Sequence, residues 1–201
     1  MIATYTDLQS AVAGWLHRTD LTARIQDFIT LAEVQMNSDL DSRSMELTAT
    51  LTTVAGTAML ALPADMVEMR RLRTTTSPMR VLKYATPDEL SSEYAYGAAL
   101  GTPISFTVVS GSLELAPTPD AAYSLELVYR QRVPSLSATN ATNWVLTQSP
   151  DVYLYGALVA AHPFTMDDGR LPVFQQLYKR AVDAVNSIDW YSGSTLRVRA
   201  Y

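Results

Sequence analysis

The sequence predicts an α+β fold: a helical body interrupted by an antiparallel β-rich insertion and followed by an extended C-terminal tail. Three observations predict it. Apolar residues recur at helical spacing in both end regions, Thr, Val and Leu alternate in short runs between about residues 45 and 133, and Ser192-Gly193-Ser194 separates the last residues as a flexible joint. The expected division is 1–44 plus 145–190 as helical body, 45–144 as inserted β-rich domain with its connecting loop, and 191–201 as tail.

At the N-terminus Thr6 stands as an N-cap ahead of Leu8, Val12, Trp15 and Leu16. After the break at 17–20, Leu21, Ile25, Phe28, Ile29, Ala32, Met36 and Leu40 continue one apolar face, so a long helix is predicted. Glu33, Gln35, Asn37 and Asp39 are expected off that stripe, facing solvent or a neighbour. From Glu46 the pattern becomes strand-like, with Ala55-Gly56-Thr57 turning the chain into Ala58 to Leu62 and Pro63-Ala64-Asp65 breaking that run before Met66 to Arg73. A small antiparallel sheet is expected from these runs. Strand-like Arg80 to Tyr84 precedes Thr86-Pro87-Asp88-Glu89, a capping box with proline at the first helical position, so a short helix should reach about Tyr94. Ile104 to Val109, Ser110-Gly111 and Leu113 to Leu115 read as a hairpin, Pro117 and Pro119 should close its strand, and Ser124 to Arg132 forms a further strand. Helical signals return with Ser149 as N-cap and Pro150 at N1. His162-Pro163 is expected to end that helix and Asp167-Asp168-Gly169 to turn the chain into a last helix with Phe174, Leu177, Tyr178, Ala181, Val185 and Ile188 on its face.

Bulk properties restrict the function. A chain of 201 residues buries a sizeable core without staples, and the absence of cysteine removes thiolate nucleophiles and Cys-based metal sites. A net charge of −5 argues against gripping a phosphate backbone, which requires clustered Lys and Arg. The first residues show no export signal, and no apolar run is long enough to cross a membrane.

Chemistry-bearing motifs are sparse. His17 and His162 stand near expected helix ends, away from nucleophile motifs or metal-ligand spacing. Asp167 and Asp168 lack the alternating oxygen donors of a calcium loop, and no phosphate loop, nucleophile elbow or zinc-protease motif occurs. No cofactor and no metal are therefore expected. Arg70, Arg71 and Arg73 form the densest basic cluster, interleaved with Met66, Met69 and Leu72. They are explained either as one side of a surface strand or as an interface pairing acidic groups on a partner. Tyr94, Tyr96, Tyr153 and Tyr155 are aromatic candidates for contacts, with core packing expected for Tyr153 and Tyr155.

The order of landmarks resembles the head-to-tail adaptor family of tailed bacteriophages, also called connector or neck proteins. The segments carrying the resemblance are Tyr5-Thr6-Asp7-Leu8 with Trp15-Leu16, Ile25-x-x-Phe28-Ile29-x-x-Ala32-Glu33, Leu62 to Met66 and Leu113 to Pro119. Tyr129 to Leu136, Thr142 to Leu146 and Pro150 to Leu158 continue it. The resemblance implies a structural, non-enzymatic virion protein made in the host bacterial cytoplasm and placed at the head-tail junction. It implies a twelvefold ring of copies beneath the portal protein, a DNA channel extended without sequence-specific binding, and a docking surface for a downstream neck or tail protein. It also implies that the C-terminal segment, here Leu196, Arg197, Val198 and Arg199, reaches onto the portal by strand addition or charge pairing. Two other readings stand beside it: a tail or baseplate binding module, and a cell-wall or glycan hydrolase drawing paired acids from Asp65, Glu68, Asp88 or Glu89.

Overall fold

A computed structural model of the chain describes residues 2–18, 20–94, 100–165 and 169–190. Tyr96, Asp167, Asp168, Leu196, Arg197, Val198 and Arg199 lie outside the described residues. Two compact units result, Glu46–Arg132 and the remainder. The fold is α+β, with helices in the first and last parts of the chain and antiparallel sheets between them.

In the helical unit, helix α1 (Tyr5–Leu16) starts on a reciprocal cap. The Thr4 hydroxyl accepts from the Asp7 N–H at 3.2 Å, and the Asp7 carboxylate accepts from the Thr4 N–H at 3.0 Å. The cap is Thr4 and not Thr6, because only Thr4 has an acid three residues on. Leu8, Val12 and Leu16 form its buried stripe, and His17 ends it with a left-handed φ of 51°. A 3₁₀ turn (Thr22–Arg24) leads into α2 (Ile25–Asp39), which buries Ile25, Phe28, Ile29, Ala32, Glu33 and Met36. Glu33 thus corrects the solvent-facing expectation: it lies one helical turn beyond Ile29, on the same stripe.

Beyond the β unit, α4 (Trp144–Gln148) is capped by Asn143, α5 runs Pro150–Thr165 and α6 runs Leu171–Trp190. Pro163 does not terminate α5. It sits in the last turn, where the bond its missing N–H forfeits is one of the few left to lose. Gly156 lets α5 pass close to both α2 and α6: an added Cβ would stand 3.2 Å from the Ala32 methyl and 3.3 Å from the Tyr178 ring. The segment 133–143, grouped with the insertion on sequence grounds, packs here, with Val133 and Leu136 in the helical core.

The β unit contains two main sheets. Strands β1 (Glu46–Thr52), β9 (Ser124–Gln131) and β3 (Met66–Thr74) form an antiparallel sheet with β9 central. Strands β2 (Met59–Ala61), β7 (Ser112–Ala116), β6 (Ser105–Val109) and β4 (Lys83–Tyr84) form the second, antiparallel except for β4 against β6. Successive runs β1, β2 and β3 do not pair with one another, contrary to the simple sheet expected from their order. Each finds a non-local partner, which side-chain alternation alone does not specify. The β6–β7 hairpin turns through Ser110 and Gly111, both at positive φ, as its two-residue connection requires. Helix α3 (Pro87–Glu93) has the capping box between Thr86 and Glu89 that the sequence predicts. A short parallel pair, β5 (Leu100–Gly101) with β8 (Thr118–Pro119), completes the unit.

Period-two alternation places Leu125, Leu127 and Tyr129 of β9 on one face with Leu72, and opposes them to Phe106, Leu113 and Leu115 of the second sheet. Leu127 is fully buried on the central strand. Leu127→Ala is expected to cost about 2–5 kcal/mol, read as faster amide hydrogen exchange across β1, β3 and β9 under native conditions. Unchanged exchange in those strands would contradict the assigned core.

Candidate partner interface

The sequence singled out Arg70, Arg71 and Arg73, and the fold shows how they are presented. Register shifts in the pairing of β3 with β9 fall between Met66 and Glu68 and between Met69 and Arg71. A bulge at Arg70 places two consecutive residues opposite one, so Arg70 and Arg71 both project from the outer face while Met69 and Leu72 point into the core. Glu126 of β9 lies between two of these cations. Its carboxylate accepts from Arg73 at 2.7 Å and from Arg71 at 2.9 Å. These hydrogen bonds, that from Arg73 first, hold the Glu126 carboxyl below the usual carboxylate range. Arg70 reaches Glu68 at 3.4 Å and Glu46 at 3.8 Å. The outer face is therefore a laced row of charges in which the Arg71–Glu126–Arg73 triad retains one net positive charge. Ion pairs this exposed add little to stability, and their consequence is a defined surface potential.

The acids considered for hydrolysis are not brought together as a reacting pair. The Asp65 carboxylate accepts from the Gln131 amide at 2.7 Å and from the Tyr129 hydroxyl at 3.3 Å. Glu68 is paired with Arg70, Glu89 closes the α3 cap, and Asp88 is exposed in the first turn of the same helix. His17 is a helix C-cap and His162 lies within α5. Tyr153 is fully buried in the helical core, Tyr155 packs edge-on against Trp15 at 6.2 Å, and Tyr94 caps α3.

Sequence reasoning missed a buried polar tie in the helical unit. Glu33 Oε1 accepts from the Leu136 N–H at 2.7 Å and from the Tyr153 hydroxyl at 3.2 Å. Asn37 Oδ1 accepts from the Val133 N–H at 2.8 Å, and Asn143 donates to the Tyr153 oxygen and to the Pro134 carbonyl. Three side chains thus replace the secondary-structure partners that segment 133–143 lacks. Burial pushes the Glu33 carboxyl up, opposed by hydrogen bonds from Leu136, Ser135 and Tyr153. The signal in the sequence is an acid four residues after Ile29 on an apolar stripe.

Comparison with known protein families matches residues 3–199 to the SU10 adaptor protein family. The chain belongs to that family. The match takes in the helices on both sides of the insertion and the insertion itself, so this is a phage adaptor, a structural protein that associates with other head or tail proteins. A search among curated proteins returns no match. Among the described residues of this adaptor, no helix is long and apolar enough to cross a membrane.

Removing the Glu33 acceptor strands a buried N–H and a buried hydroxyl. Glu33→Ala should therefore cost about 1–3 kcal/mol, whereas Glu33→Gln retains an acceptor oxygen and should cost less. A folded-state carboxyl raised above its unfolded value penalises stability at neutral pH, and the penalty is relieved as pH falls through the raised value toward the ordinary carboxylate range. Chemical denaturation of the native chain and Glu33→Gln across pH 7 to about 4.5 should show the native chain gaining on the variant as pH falls. Parallel curves would exclude the raised titration.

Proposed function

We propose that this adaptor works at the head-tail junction, where copies assemble as a twelvefold ring beneath the portal, extend the DNA channel and offer a docking surface to the next neck or tail protein. The observation that carries this reading is a family match over residues 3–199, which takes in both the helical and the β unit. The function is assembly, without turnover, cofactor or metal.

The remaining features fit such a role. An acidic chain, at net −5, suits a wall past which DNA slides without adhering. The helical unit has the side-chain ties of a rigid body, and heterologous contacts between such bodies close into a ring when their rotation permits. Leu196, Arg197, Val198 and Arg199 are the proposed portal-binding segment, ordered on contact by strand addition or by pairing with portal carboxylates. Arg70, Arg71 and Arg73 are the proposed second contact, on the β unit.

Mixing the chain, intact and truncated before Ser192, with the portal ring of the same virus and weighing the complexes by mass photometry tests this. A portal-dependent gain of about twelve subunits, lost on truncation, is expected. A gain independent of the tail would move portal binding to another surface, and no gain would contradict the adaptor-ring reading.

A further inference from the structure

Helices α2 and α6 both pack on α5, where Gly156 lies beside the Ala32 methyl and the Tyr178 ring. Within one copy they touch each other at Asp39, whose carboxylate accepts from the Tyr178 hydroxyl at 3.0 Å and whose carbonyl accepts from the Asn186 amide at 2.9 Å. Each helix keeps a row of exposed residues turned away from these contacts. On α2 the row is Arg24, Asp27, Leu31 and Val34. Leu31 stands two residues beyond buried Ile29 and Val34 two beyond Ala32, about 200° around the helix from the packed side. On α6 the row is Val173, Gln176, Arg180 and Asp183, with Gln176 and Arg180 two residues either side of Tyr178. Leu31, Val34 and Val173 keep 53%, 64% and 53% of their surface exposed, so each row has an apolar end that the chain itself leaves uncovered.

The two rows are complementary. Both are spaced three, four and three residues apart, the spacing of a seam between packed helices. Laid antiparallel in full overlap, Val34 meets Val173 and Leu31 meets Gln176, while Asp27 meets Arg180 and Arg24 meets Asp183. Laid parallel, the same rows set Leu31 against Arg180 and Val34 against Asp183. Like pairs fail as well: two α2 rows laid antiparallel oppose Asp27 to Leu31, two α6 rows oppose Val173 to Asp183, and parallel like pairs bring equal charges together. Charge and apolar character therefore agree in one full overlap, and it joins unlike faces, as a head-to-tail contact requires. The Arg24–Asp27 ion pair within the α2 row, at 3.5 Å with both side chains exposed, contributes little and is readily exchanged for partners across the contact.

We infer that copies of this chain associate head to tail through these helices, the α2 row of one copy packing antiparallel on the α6 row of the next. The inference rests on the ring reading and assigns the surfaces through which neighbouring copies meet.

The chain has no cysteine, so Val34→Cys and Val173→Cys report the contact directly. The two single variants are mixed, assembled on the portal ring of the same virus, oxidised and separated under non-reducing conditions. A disulfide-linked dimer in the mixture, with neither variant alone forming one, is expected. Complete rings in which the link between positions 34 and 173 does not form, or in which either variant links to itself, would overturn the inference and leave the ring reading standing. No gain in mass on the portal by the native chain would overturn both. Charge reversal at two exposed positions gives a second readout, the concentration at which half the portal rings carry the chain. Asp27→Arg and Arg180→Asp should each raise it by about tenfold or more, and the two together should return it toward the native value. A double variant that assembles no better than the single ones would overturn the inference whatever the crosslinks show.

Discussion

The pairing of β1 with β9 is the constraint on which the rest of the chain's organisation depends. The first strand of the insertion lies antiparallel to its last from Glu46 opposite Arg130 to Thr52 opposite Ser124. The insertion therefore leaves and re-enters the helical sequence at adjacent points, and its loop-closure entropy is offset by one continuous ladder. Without that ladder, α1 and α2 would be joined to α4, α5 and α6 through an open tether. With it, the two parts of the helical core are effectively consecutive. The return is then fixed at once: Val133 donates to Asn37 and Leu136 to Glu33, so α2 receives the chain within five residues of β9.

Legibility in the sequence follows the range of the interaction responsible. Helices with long stripes, such as Leu8–Val12–Leu16 and Ile25 to Met36, and the Thr86–Glu89 cap are local patterns, and they read correctly. The five residues of α4 are too few to establish a period, although Asn143 is a recognisable cap for them. The two-residue strands β5 and β8 offer no alternation at all. Strand partners, separated by tens of residues, were the least legible part, because alternation gives the inward face and says nothing of which strand lies alongside.

The same distinction applies to the interface. Three arginines within four positions are visible as a cluster, but the bulge that turns Arg70 and Arg71 to one side and the Glu126 that joins Arg71 to Arg73 exist only in the fold. Glu33 was misplaced for the opposite reason: its charge argued for solvent, while its position on the helix put it in the core. Five of the chain's carboxylates have structural duties, closing caps at Asp7 and Glu89, tying loops at Glu33 and Asp65 and bridging strands at Glu126. That distribution suits a protein whose product is a fixed surface, in keeping with its membership of an adaptor family.

The central claim, that this adaptor is a stoichiometric part of the head-tail junction, is tested most directly by its copy number relative to the portal protein in purified particles, measured by quantitative mass spectrometry with isotope-labelled standards. The account predicts a ratio of about one to one, as two rings of equal symmetry require. A large excess over the portal, as for a component repeated along the tail, or absence from the particle would contradict it.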